Sequence, residues 1–174
     1  MEKIKEYISN LKTDDIPWGR MVTAYDTAEN YPEYLTVLES MQDIKEMNEA
    51  LDNISDFEHQ GTLFTPAPFV LVFLVRIYKK AKQTNTPEAE WLAKELDKSF
   101  KYYLEICEEF EQNYEHDDPL TEFSDMLDEK YLLPEDYTED DLEEYYENFM
   151  PDDCFYSLYY YSGIILKDYD KNIQ

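Results

Sequence analysis

The chain has 174 residues, 41 acidic and 15 basic, for a formal net charge of −26. That length fits one domain with a real core, and so negative a field repels nucleic acid and anionic membranes while attracting basic proteins. Seventeen tyrosines and nine phenylalanines argue against an acidic disordered chain, because such chains are poor in aromatics.

Three glycines, Gly19, Gly61 and Gly163, are too few for the turns of a sheet-rich fold, so the pattern points to all-α. Ile4, Tyr7, Ile8 and Leu11 recur at helical spacing and predict an amphipathic helix over 3–12. Asp14-Asp15-Ile16-Pro17 breaks it, and a second helical segment is expected over 18–29. Asn30-Tyr31-Pro32 opens a third helix with proline at an early position, and Tyr34, Leu35, Leu38 and Met41 form its inner face. Asp43 caps a fourth, whose stripe is Ile44, Met47, Leu51 and Ile54. His59-Gln60-Gly61-Thr62 reads as a turn. Thr65-Pro66 reads as N-cap and first position of a helix reaching Lys82, apolar on all sides early on and therefore central. Thr86-Pro87 repeats that signal and starts a long helix through Phe110. Asp118-Pro119 is expected to begin another, holding Leu120, Phe123, Met126 and Leu127. Thr138 with Asp141 makes a capping box for the next, and Asp152 or Asp153 begins the last, rich in Phe155, Tyr156, Leu158 and Tyr159. The expectation is a single domain over 1–174 with about nine helices, antiparallel through short connections, and no convincing strand. It divides into a near-neutral scaffold (1–104), strongly acidic helices (105–153) and a C-terminal helix (154–174).

The charge is concentrated. Residues 105–153 carry 21 acids against one base, Lys130, while residues 1–104 carry 18 acids against 12 bases. In the predicted helix after Thr138, Leu142, Tyr145, Tyr146 and Phe149 fall on one side. Glu139, Glu143 and Glu147 form one outward row, and Asp140 and Glu144 a second. Like charges four apart cost a few tenths of a kcal/mol each, and no lysine or arginine within this helix offsets them. A solvated face would confer only solubility, but such faces usually mix both signs. The pattern therefore predicts a docking face for a basic protein. Its carboxylates would be Glu139, Asp140, Glu143, Glu144 and Glu147, joined by Asp152 and Asp153, with Tyr145 and Tyr146 as aromatic anchors.

Other chemistry finds little support. A calcium loop needs a central glycine, and no segment supplies one. A di-iron bundle needs Glu-x-x-His pairs, and neither His59 nor His116 follows a glutamate by three. No phosphate-binding glycine loop or nucleophile signature occurs, so neither enzymatic activity nor a metal or cofactor is expected. His59 reads as fixing its turn. Tyr25, Tyr31 and Tyr34 either line a cleft or, more commonly, pack with hydroxyls reaching solvent. Cys107 and Cys154 read as reduced thiols, with one long-range disulfide as the alternative. The most apolar run, 67–75, is far short of the ~20 residues that span a bilayer. Residues 1–12 do not read as a signal peptide, so a cytoplasmic protein is expected.

Two stretches carry a resemblance. The first is Ile16-Pro17-Trp18, then Ala24-Tyr25-Asp26-Thr27-Ala28, then Tyr31-Pro32 before Leu35 and Leu38. The second is His59-Gln60-Gly61-Thr62-Leu63-Phe64, then Pro66-Ala67-Pro68-Phe69. Over residues 16–77 their order and spacing resemble bacterial HEAT-repeat-like proteins, which recur among immunity proteins of polymorphic toxin systems and contact-dependent growth inhibition. The resemblance implies HEAT-like helical hairpins in the first half. It also implies one cognate partner, a cationic toxin domain such as an EndoU-type ribonuclease, blocked at its active site. The alternative is an acidic nucleic-acid mimic that titrates a DNA- or RNA-binding protein.

Overall fold

The computed structural model describes residues 2–148, 151–167 and 169–171. Among these the chain is mostly helical, with seven α-helices instead of about nine. They are α1 (Glu2–Asn10), α2 (Tyr31–Ser40), α3 (Ile44–Ile54), α4 (Ala67–Gln83), α5 (Pro87–Asn113), α6 (Glu139–Asn148) and α7 (Asp152–Leu166).

The predicted caps form where the side chain is free to serve its own helix. Asp43 accepts from the Glu46 N–H at 3.0 Å and starts α3. Thr86 accepts from the Ala89 N–H at 3.2 Å and starts α5. Thr138 and Asp141 bond reciprocally ahead of α6. Thr65 does not cap α4, whose cap position is Pro66. Its buried hydroxyl instead accepts from the Val22 N–H at 3.0 Å and donates to the Val22 carbonyl at 3.1 Å. Two backbone groups of a distant buried segment take precedence over one helix-end donor, because leaving them unpaired costs about 1–3 kcal/mol.

Two expected helices are absent among the described residues. Residues 18–29 form a short 3-10 turn, Trp18–Arg20, and then a loop closed by the Val22–Thr27 bridge. The Thr23 hydroxyl accepts from the Tyr25 and Asp26 N–H groups at 3.4 and 3.1 Å, a side-chain turn that competes with helix. The motif's Trp18 is buried, with its indole N–H on the Thr13 carbonyl at 2.9 Å. Residues 118–127 are also not an α-helix, since only Phe123–Leu127 coils, as 3-10. The Leu120 N–H is taken by the Ser157 hydroxyl at 2.8 Å and its carbonyl by the Tyr161 hydroxyl at 2.6 Å. Leu120 is thus held to α7 by both its backbone groups.

A small antiparallel ladder was not foreseen. β1 (Glu58–His59) pairs with β2 (Thr62–Leu63). Gln60 and Gly61 have φ of 51° and 84°, the doubly positive pattern of a two-residue hairpin turn. Only Gly61 takes that conformation without steric cost.

α4 is central as expected, with twelve of its seventeen residues buried. It packs between α5, α7 and α2, while α2 packs on α3 and α5 on α7. One hydrophobic cluster runs from Leu11 to Tyr169, so the near-neutral, acidic and C-terminal segments share a core. No helix among the described residues is long and apolar enough to cross a membrane.

Candidate partner-binding face

α6 sits on the fold by two tyrosines. Tyr145 packs against the core, and burial raises its phenol above the ordinary value, with Thr65 beside it acting the other way. The Tyr146 hydroxyl donates to the Thr23 carbonyl at 2.7 Å, and burial pushes its pKa up to about 12. The two residues expected as partner anchors are thus half-buried and tied into the protein's own loop. Leu142 is half-buried too, and Phe149 lies outside the described residues.

The carboxylate rows face outward. Glu139, Asp140, Glu143, Glu144 and Glu147 are all exposed. Ion pairs join Arg20 to Glu129, Lys45 to Glu49, Lys80 to Glu39 and Lys101 to Asp97, and none of these involves α6. Asp141 differs, because its carboxylate accepts from the Thr138 N–H at 2.7 Å and hydroxyl at 2.8 Å, which lowers its pKa. Three like-charge pairs four apart, Glu139–Glu143, Glu143–Glu147 and Asp140–Glu144, together cost ~1 kcal/mol. Fully burying one aromatic side chain returns ~1.5–3 kcal/mol, so the partly buried Leu142, Tyr145 and Tyr146 offset that repulsion.

Asp152 and Asp153 part company. Asp153 is half-buried and structural, accepting from the Tyr131 hydroxyl at 3.0 Å and from the Cys154 N–H at 2.7 Å. Asp152 is exposed and stands on the rim of a groove of about 990 Å³ between the end of α5 and the start of α7. Stacked rings line this groove. Phe110 lies 3.9 Å from Tyr159 and 5.0 Å from Tyr114, centroid to centroid, and His116 lies 3.5 Å from Tyr156. Tyr159 ties the floor to the hairpin, accepting from the Leu63 N–H at 3.1 Å and donating to the Gly61 carbonyl at 3.0 Å. Sequence reading missed this groove. Phe110 and Tyr114 at i, i+4 were a visible signal, but their meeting with α7 is a tertiary event no spacing announces.

A second polar cluster explains the two motifs. The Asp56 carboxylate accepts from the hydroxyls of Thr23, at 2.8 Å, and buried Tyr31. The exposed Tyr25 hydroxyl meets His59 Nδ1 at 3.1 Å. Tyr31 therefore keeps its hydroxyl inside, against the expectation that it reaches solvent. Cys107 and Cys154 are free and buried, with burial pushing both thiols to about 12, so neither is a reactive thiolate at neutral pH. Among the described residues no group of three or more His, Cys, Asp or Glu side chains is arranged to hold a metal ion.

Comparison with protein families, with curated proteins and with solved structures finds no match to this chain.

Proposed function

We propose that this chain is an immunity protein that neutralises one cognate cationic toxin domain, a nuclease, by docking its acidic face over the toxin's substrate-binding site. The observation that supports this reading most is α6, whose five exposed carboxylates on two rows take no part in the Arg20–Glu129, Lys45–Glu49, Lys80–Glu39 and Lys101–Asp97 pairs found among the described residues. A substrate site built for phosphates carries lysines and arginines, and these carboxylates answer them. The protein acts by binding in the cytosol, without catalysis. The pairs α2–α3 and α4–α5 are the HEAT-like hairpins of this reading.

The test is whether a gene for a cationic toxin domain adjoins this one, and then co-expression with that domain together with association kinetics at low salt. Wild type should restore growth. The triple variant E139K/E143K/E147K should associate about tenfold or more slowly, since steering lifts on-rates by orders of magnitude. Failure to restore growth, or an unchanged association rate, overturns the assignment. Equal affinity for several unrelated DNA-binding proteins would instead support nucleic-acid mimicry.

A further inference from the structure

The groove at the α5–α7 junction has a chemistry that α6 lacks. Its walls are aromatic, its rim is acidic, and the last turn of a long helix lines it.

α5 ends at Asn113, and Glu109, Phe110 and Tyr114 from its last turn and cap line the groove. The carbonyl end of a helix favours a cation nearby. Yet this end carries Glu105, Glu108, Glu109 and Glu111, and no basic residue lies in its last turn. Acids there oppose the dipole and one another; Lys167 shares a hollow with Glu108 and Glu111, whereas Glu109 faces the groove together with Glu115, Asp117 and Asp152. The positive end of α7, which reaches the same groove, is already answered by its own Asp152 and Asp153. Tyr114 rests one face on Phe110 at 5.0 Å and 16°, and is 60% exposed. An exposed tyrosine ring flanked by carboxylates is a cation–π platform.

We propose that this groove is a guanidinium-binding slot that receives an arginine side chain of a partner protein, stacked on Tyr114 and paired with Asp152 and Glu109. Arginine fits better than lysine because its planar, weakly hydrated head stacks on a ring while its fork engages a carboxylate. The slot deepens the immunity reading by naming what the partner inserts, and in that respect it rests on it. The binding chemistry is testable separately.

The probe is Nα-acetyl-arginine methylamide, titrated at 0.15 M salt (roughly physiological) and followed by NMR of the ring resonances of Tyr114, His116 and Tyr156. The controls are the neutral citrulline analogue and the lysine analogue. Saturable shifts confined to the groove are expected with arginine, weaker with lysine and negligible with citrulline. Tyr114→Ala should weaken arginine binding about threefold to tenfold, as should Asp152→Asn combined with Glu109→Gln. Glu46→Gln, exposed on α3, should leave it unchanged. Equal responses to arginine and citrulline, shifts spread over all acidic surfaces, or full binding by Tyr114→Ala would each overturn the slot. If arginine binds in the groove but the co-expressed toxin still kills, the immunity reading falls and the slot stands. If the toxin is neutralised but Tyr114→Ala changes neither probe binding nor toxin affinity, the slot falls and the immunity reading stands.

Discussion

Asp56 shows how one side chain organises the first half. Its carboxylate gathers Thr23 and Tyr31, and its backbone carbonyl accepts the Ala24 N–H at 2.9 Å. Burial raises its pKa, although the two hydroxyl hydrogen bonds pull the other way. A carboxyl whose folded pKa is raised binds its proton more tightly in the native state than in the unfolded chain. Its contribution is therefore fully present below the free value of ~3.9 and lost as pH rises through the folded value. Asp56→Asn removes that titration and keeps one acceptor oxygen. Urea unfolding across pH 4–7 should show the variant gaining on wild type as pH rises, and the reverse trend would contradict the burial assignment. None of this was legible in the sequence. Thr23 and Asp56 lie 33 residues apart, and a helix through 18–29 would have pointed Thr23 elsewhere.

At the scale of elements, sequence pattern located helices well where one stripe and one cap agreed, as in α3 and α5. It failed at residues 18–29, where the Thr23 hydroxyl holds the Tyr25 and Asp26 N–H groups in a turn, and at 118–127, where Leu120 is bonded to α7; at Thr65 only the cap differed, and α4 formed all the same. α6 was legible because its period, cap and carboxylate rows lie within one short stretch. That helix also yields a separation of stability from binding. Glu143→Lys converts two repulsive pairs, with Glu139 and Glu147, into attractive ones. It should stabilise the protein by ~0.5–1 kcal/mol while slowing capture of a cationic partner. Thermal unfolding and association kinetics on the same variant check this. A stabilised variant with unaltered association would mean that the α6 acids serve solubility alone.

Across the whole molecule, a net charge of −26 works against compaction through self-repulsion. Raising ionic strength shortens the screening length from about 10 Å at 0.1 M to about 3 Å at 1 M. The melting temperature of the free protein should therefore climb by a few degrees over that range, as scanning calorimetry in sodium chloride would record, while association with a cationic partner slows over the same range. A melting temperature that falls with salt would mean that attractive pairs such as Arg20–Glu129 outweigh the repulsion. The long helix α5 adds one more consequence. Its 27 residues make a rod of about 40 Å. Lys94, Lys98 and Lys101 sit along its first part, and Glu105, Glu108, Glu109 and Glu111 crowd its end. A body charged this unevenly feels a torque as well as a pull in the field of a basic surface. It turns before it touches, so the groove end leads and fewer collisions are wasted on the wrong side.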